Sequence, residues 1–403
     1  MTARLKLNSC VTRGLLAIVI LSSGVYYARQ SGVDPLVYSN DFNVYYHAAS
    51  EVMAGRDPYQ HSLSPGTPYL YPPLLSELML PFALLPLPVA AYVWFLISVA
   101  SFAYAARMSA ALCDQQRESL PRTTLIAAIA SVLLIRFAMD NFNMGQVNTI
   151  VAALSVAHVY FYAKDKKGLS AVAFALAASI KLTPIILIAY HVAKLRLKFA
   201  ALCLSLLAVV TVLSFLPFKP REAETFKVFF NRTVKNEQGF DLAFAGNQSL
   251  RGTVARFLED KDNAESTREP TSAVTLIISI ALVAFAMFAA ATARSDLAAS
   301  APFFCCFVIL SPLSWKAHFV VLILPVVYLI CRALQTSETR RGYLVATLVA
   351  VFALFNLTSP KVVGPRGGEW TDAHSMVFAG AMLIFIACVW RAPRRFVNLN
   401  QSD

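Results

Sequence analysis

The sequence predicts an all-α polytopic membrane protein with about 12 transmembrane helices. Three observations carry that expectation. Of the 403 residues, 57% are hydrophobic and only 14% are charged. The mean hydropathy of +0.58 lies far outside the soluble range. The chain also divides into apolar runs bounded by charge, proline or glycine, many of them near the length that crosses a hydrocarbon core.

Taken in order, residues 13–28 follow a basic N-terminal stretch and form the first run. They read as an anchor and not a cleaved leader, because no small-x-small cleavage site follows in VYYARQSG. The short apolar stretch from Leu74 to Leu85 reads as re-entrant or interfacial. Spans follow at 87–107, 123–139 and 146–163. The segments 168–180 and 182–193 fall short of a full crossing and read as half-helices or tilted pieces. Longer runs resume at 199–216, 272–293, 297–311, 317–333, 342–357 and 373–390. The whole chain, 1–403, reads as one integral membrane domain with two long loops, 29–73 and 217–271, and no internal repeat.

With the N-terminus in the cytoplasm, the inner loops are 1–13, 107–122, 164–167, 194–198, 294–296, 332–341 and 391–403. They hold 19 of the 35 lysines and arginines and 6 of the 23 acids, a net of +13, and the rest of the chain nets −1. The formal charge of +12 therefore belongs to one edge of the membrane. This positive-inside signature puts both termini in the cytoplasm of a multi-pass plasma (inner) membrane protein and gives the charge a role other than binding nucleic acid. The seven cysteines (Cys10, Cys113, Cys203, Cys305, Cys306, Cys331, Cys388) form no CxxC and no Cys/His cluster, so neither a disulfide framework nor a zinc site is expected.

The conspicuous polar groups gather on the outer edge. Residues 41–54 place Phe42, Tyr45, Tyr46, Ala49 and Met53 at helical spacing, an amphipathic helix suited to the outer interface. The loop 217–271 carries helical stretches around AETFKVFFNRTV and NQSLRGTVARFL.

Six stretches occur in a familiar order: NDFNVYYHAASEVMAGRDPYQ, YLYPPLLSELMLPFALLP, MGQVNTIVAAL, AASIKLTPIILI, GNQSLRGTVARFL and LSPLSWKAHFVVLILP. In this the chain resembles glycosyltransferase family 87, polyprenol-phosphate-mannose-dependent alpha-mannosyltransferases and bacterial relatives of GT-C fold. The resemblance runs from about residue 38 to 330. It implies a GT-C-type bundle with amphipathic outer helices. It further implies an enzyme that moves a sugar, with mannose the first expectation, from a polyprenyl-phosphate donor to a hydroxyl of a glycolipid or glycan acceptor on the non-cytoplasmic face.

In that fold a carboxylate of the first outer loop is the general base, and Asp41 stands in its place. A carboxylate at the dry edge of a membrane is raised in pKa, which suits removal of a hydroxyl proton. The alternative role for Asp41 is an N-cap, since SND precedes a helical pattern. The departing polyprenyl phosphate needs cationic partners, for which Lys181, His318, Lys316 and Arg251 are the candidates. An intramembrane lysine is costly enough to imply function, although Lys181 could also snorkel to the interface. The family motif often ends in paired histidines where this chain has Ala317 and His318, which makes Lys316 a candidate substitute.

Gln146 and Asn148, and Asn247 and Gln248, offer the donor and acceptor pairs that sugar hydroxyls need, or else cap and cross-link helices. Tyr45, Tyr46, Tyr71 and Trp315 suit stacking on sugar or prenyl chain, and equally an interfacial aromatic belt. Asp140 is a possible second carboxylate near the pocket. Asp260 and Asp262 in EDKD make an Asp-x-Asp pair, but within a charged run that reads as solvated, so no metal or other cofactor is expected. The competing class is a lipid-linked sugar transporter or flippase, favoured by segments interrupted near Lys181 and Pro184 and disfavoured by the lack of repeated halves.

Overall fold

A computed structural model describes residues 2–33, 40–63, 67–113, 120–218, 222–231, 241–258 and 264–390; Asp260 and Asp262 lie outside them. The described residues are helical, with no strand among them. Five helices are long and apolar enough to cross a membrane: Leu87–Ala111, Leu197–Phe215, Glu269–Thr292, Lys316–Gln335 and Glu338–Leu357. Two bent pairs raise the number to seven if each is one span: Pro121–Leu133 with Ile135–Met144, bent by 71°, and Pro360–Ala373 with Met376–Val389, bent by 58°. This chain is an integral membrane protein. Length and composition give fewer full spans than the apolar runs led us to expect, because backbone breaks cut several runs short. Asn148–Ala163, Lys167–Ile180, Thr183–Ala193 and Asp296–Ile309 are apolar but short, and Thr2–Val33 precedes them all.

The bundle has a centre and a rim. Lys316–Gln335 runs through the middle with 83% of its most apolar window inside the protein, whereas Leu197–Phe215 and Glu269–Thr292 bury only 22% of theirs and face outward. That division follows from side-chain size and spacing: Phe303, Phe304, Phe319, Leu322, Ile323 and Val327 interlock at the centre with no exposed surface.

Of the five residues at helical spacing on the Asp41–Met53 helix, three turn inward, while Tyr46 is half-buried and Met53 exposed. Phe42, Tyr45 and Ala49 are fully buried, and the helix packs on the short helices Pro73–Leu78 and Leu80–Ala83. The stretch 74–85 is thus a pair of short helices that form a shelf beneath it.

Hydrogen bonds and ion pairs divide the loops between two ends of the bundle. At one end, Arg196 pairs with Asp296 at 2.6 Å and Lys194 donates to the Ala293 carbonyl at 2.8 Å. The expectation of no disulfide is corrected. Cys113 and Cys331, 218 residues apart in sequence, are bonded with their Cα atoms 6.0 Å apart. The last turns of Leu87–Ala111 and Ile323–Gln335 meet there through packing of the two helices, a proximity that leaves no signature in cysteine spacing. At the other end, Trp94 Nε1 donates to the Gly145 carbonyl at 2.8 Å, Asn141 to the Ala317 carbonyl at 3.3 Å, and Gln248 to the Asp372 carbonyl at 2.9 Å. The loops near residues 40, 145, 181, 247, 314 and 372 therefore share one end.

Candidate active site

Three backbone devices build the site. Asn40 caps the Asp41–Met53 helix, its side chain accepting from the Asn43 amide at 2.9 Å. The capping role open to Asp41 is therefore filled by its neighbour, and Asp41 occupies the first helical turn with its carboxylate free for other partners. Ile135–Met144 ends at Gly145 in the left-handed region (φ 62°), which turns the chain into Asn148–Ala163. A Cβ there would also lie 2.6 Å from Phe42 Cβ, so glycine is needed both for the turn and for close approach of the Asp41 helix. Finally, Lys167–Ile180 stops at Lys181, whose extended backbone (φ −148°, ψ 132°) precedes a tight turn begun at Thr183-Pro184.

These breaks bring four side chains into one hydrogen-bonded row. Lys181 Nζ donates to Asn148 Oδ1 at 2.7 Å, Asn148 Nδ2 donates to Gln146 Oε1, and Gln146 Nε2 donates to Asp41 Oδ2 at 2.9 Å. Asp41 and Lys181 are part-exposed, whereas Gln146 and Asn148 are sealed at 6% and 1% exposure. The Lys181 end opens on a pocket lined by Asn148, Val151, Lys181, Thr183, Phe307, Val308, His318 and Val321. Trp315 donates its amide to His318 Nδ1 at 3.3 Å, which closes the turn that holds the imidazole at the pocket. At the other end of the row, Tyr45 and Tyr71 stand edge to face at 4.9 Å and border Asp41. Burial pushes the Asp41 carboxyl above its ordinary value, opposed by the Gln146 bond and the Lys181 charge.

The remaining candidates are placed elsewhere. Lys316 forms an ion pair with Asp372, and Arg251 donates to Ser272 at 2.9 Å. Neither lines the pocket. Asn247 is fully buried, donating to the Leu242 and Pro312 carbonyls at 3.0 Å each and accepting from the Ser314 amide at 2.9 Å. Gln248, also fully buried, donates to the Ala245 and Asp372 carbonyls. Tyr46 donates to the Leu85 carbonyl at 2.9 Å, and Trp315 is 43% exposed beside Phe244. Asp140 faces Arg136, Lys316, Lys361 and Asp372, apart from the Asp41 row.

Glu77 was not singled out by the sequence. It sits on the shelf helix Pro73–Leu78 with its carboxyl pushed up to about 7 by burial and Oε1 unpartnered. Its single charge within an apolar run was the available signal. Among the described residues, no three His, Cys, Asp or Glu side chains are grouped to hold a metal ion.

The structure is a membrane-embedded helical bundle that gathers a carboxylate, a lysine and a histidine at one end of its broken helices. The chain belongs to glycosyltransferase family 87, whose model matches residues 69–314, and it is a glycosyltransferase and not a transporter. It is 25% identical, over 96% of its length and 91% of the relative's, to the polyprenol-phosphate-mannose-dependent alpha-(1-2)-phosphatidylinositol pentamannoside mannosyltransferase of Mycobacterium tuberculosis. The protein of the same description from Mycolicibacterium smegmatis is 24% identical over 79% of this chain and 74% of its own. GPI mannosyltransferase 1 of Dictyostelium discoideum is 27% identical over 43% of this chain and 37% of its own.

Proposed function

We propose that the protein transfers mannose from a polyprenyl-phosphate donor to a hydroxyl of a membrane glycolipid, with inversion at C1 and with Asp41 as general base. The observation that carries this reading is the row joining Asp41 to Lys181, beside a pocket shared with His318. The names of the mycobacterial relatives supply the donor and the glycolipid class of acceptor.

The chemistry follows from the groups present. As the acceptor oxygen attacks C1, its proton passes to the Asp41 carboxylate. Burial raises the basicity of that carboxylate above that of an ordinary aspartate. The C1–oxygen bond to phosphate breaks and its electron pair leaves on polyprenyl phosphate. Lys181 and His318 meet that growing charge with donors in a pocket walled in part by Val151, Phe307, Val308 and Val321, where each such bond is stronger than in water. Lys316 and Arg251 are already engaged with Asp372 and Ser272. The exposed Trp315 ring offers a stacking face for sugar or prenyl chain.

No divalent ion is needed for a monophosphate leaving group held by a lysine, so activity is expected to survive EDTA. The positive-inside pattern supports cytoplasmic termini and a site facing outward. The grouping of Lys194, Arg196 and Arg332 at the end away from Asp41 supports it further.

The test is purified protein in lipid with radiolabelled polyprenyl-phosphate-mannose and a membrane glycolipid extract. Label should pass to glycolipid with release of polyprenyl phosphate and with an alpha linkage from a beta donor. A product that retains the donor's configuration would overturn the single-displacement scheme.

A further inference from the structure

We propose that Gln146 and Asn148 are positioning residues that couple the donor-phosphate cation, Lys181, to the base, Asp41, and do not themselves hold sugar. This rests on the roles given above to Asp41 and Lys181.

The direction of the row is forced by its ends. An ammonium only donates and a carboxylate only accepts. With Lys181 at one end and Asp41 at the other, Asn148 must present its oxygen to the lysine and its nitrogen to Gln146. Gln146 must likewise present oxygen to Asn148 and nitrogen to Asp41. Both amides thus have one permitted orientation, and rotating either breaks two bonds.

Exposure divides the labour. A ligand entering the cleft reaches the part-exposed ends, whereas the amides between them are at least nine-tenths buried. The facing oxygen of Gln146 and the facing nitrogen of Asn148 are spent on each other. Their remaining bonds go to Asp41 and Lys181, which leaves them poorly placed to recognise a sugar hydroxyl. Gln146 holds Oδ2 of Asp41, which fixes one of the two carboxylate oxygens. Lys181 gives one of its three protons to Asn148, and two remain for a phosphate. A phosphate seated there fixes Lys181, and through the two amides it fixes the plane of the Asp41 carboxyl.

The ionisable groups facing Asp41 are Lys181 across the row, Tyr71 from the segment before Pro73–Leu78, and Tyr45 on its own helix; His318 lies beyond, against Lys181. The Gln146 bond, the Lys181 charge and the Tyr71 bond each favour the ionised carboxylate, and the row joins the first two.

Two variants of the full-length protein in lipid nanodiscs test the coupling. Gln146→Met keeps length without hydrogen bonds. Asn148→Leu keeps the size of the side chain but offers no hydrogen-bond partner to Lys181 or Gln146. Each should lower kcat between about 10- and 10²-fold, the cost of a misplaced reactive group, with donor KM within about threefold of wild type. The Gln146 bond favours the ionised form of Asp41, so its loss raises the carboxyl's pKa and moves the acid limb of the kcat profile to higher pH.

A rise in donor or acceptor KM at unchanged kcat would assign the amides to sugar and overturn the proposal. Lost activity with an unmoved acid limb would make them merely structural. Asp41→Asn, run alongside, separates the two levels. If it stays active, the base reading itself fails. If it is inactive while Gln146→Met and Asn148→Leu match wild type, only the coupling fails.

Discussion

Two pairs of amides, read alike from the sequence, do opposite things. Gln146 and Asn148 bond side chain to side chain and end on two part-exposed charges, Asp41 and Lys181. Asn247 and Gln248 bond chiefly to backbone. Asn247 ties the 242 turn to Pro312 and Ser314, and Gln248 ties Ala245 to Asp372. Arg256 closes the second region by donating to the Phe244 and Asn247 carbonyls at 2.9 Å each. The cations divide in the same way, since Lys316 pairs directly with Asp372 whereas Lys181 reaches Asp41 only through two amides. A directly paired charge neutralises itself. A charge held at a distance from its partner keeps capacity for a ligand. On the function proposed above, the first region serves the chemistry and the second holds the loops that frame it.

Substitutions sharpen this contrast, and the largest effect belongs to the first region. Asp41→Asn should lower kcat/KM by at least about 10²-fold, the contribution of a general base, in the mannose-transfer assay. Lys181→Met removes a charged donor to phosphate, a bond worth about 1.5–3 kcal/mol, so donor KM should rise roughly 10- to 10²-fold.

The pH profile follows next. Asp41 must be ionised to accept the proton, and its pKa is raised, so activity should fall on acidification at a midpoint above the ~3.9 of an ordinary aspartate. A midpoint at or below that value would mean that burial does not govern the carboxyl.

Effects in the second region should appear as stability and not as KM. Asn247→Ala strands the buried Ser314 amide, which should cost about 1–3 kcal/mol. Thermal unfolding in detergent should show it, with donor KM unchanged; a rise in KM would erase the distinction between the regions. Lys316→Met should have the smallest effect on transfer, donor KM staying within about twofold, because the lysine is already paired with Asp372.

Much of this was legible in the chain. Apolar runs marked the helices, and the breaks that matter were written as Gly145 and as Lys181 followed by Pro184. Asp41 and Lys181 stood out because charge among apolar residues is costly. The partner of each was hidden: nothing near Lys181 in sequence names Asn148, 33 residues away, and nothing near Asp41 names Gln146, 105 residues away. For the Asp41 helix, periodicity gives an apolar face but does not say which of its residues pack on the short helices of 73–83. The Cys113–Cys331 bond was invisible for the same reason.

The sequence by itself determined that this is a helical membrane protein, where its helices break, and which of its charges are too expensive to be idle. Those are local properties, set by hydropathy, backbone preference and the cost of burying charge. Only the tertiary structure decided which cation remains available, which amides join it to the carboxylate and which merely fasten loops. A hydrogen bond is fixed by the position of two groups in space, and segments distant in the chain meet only when the bundle packs.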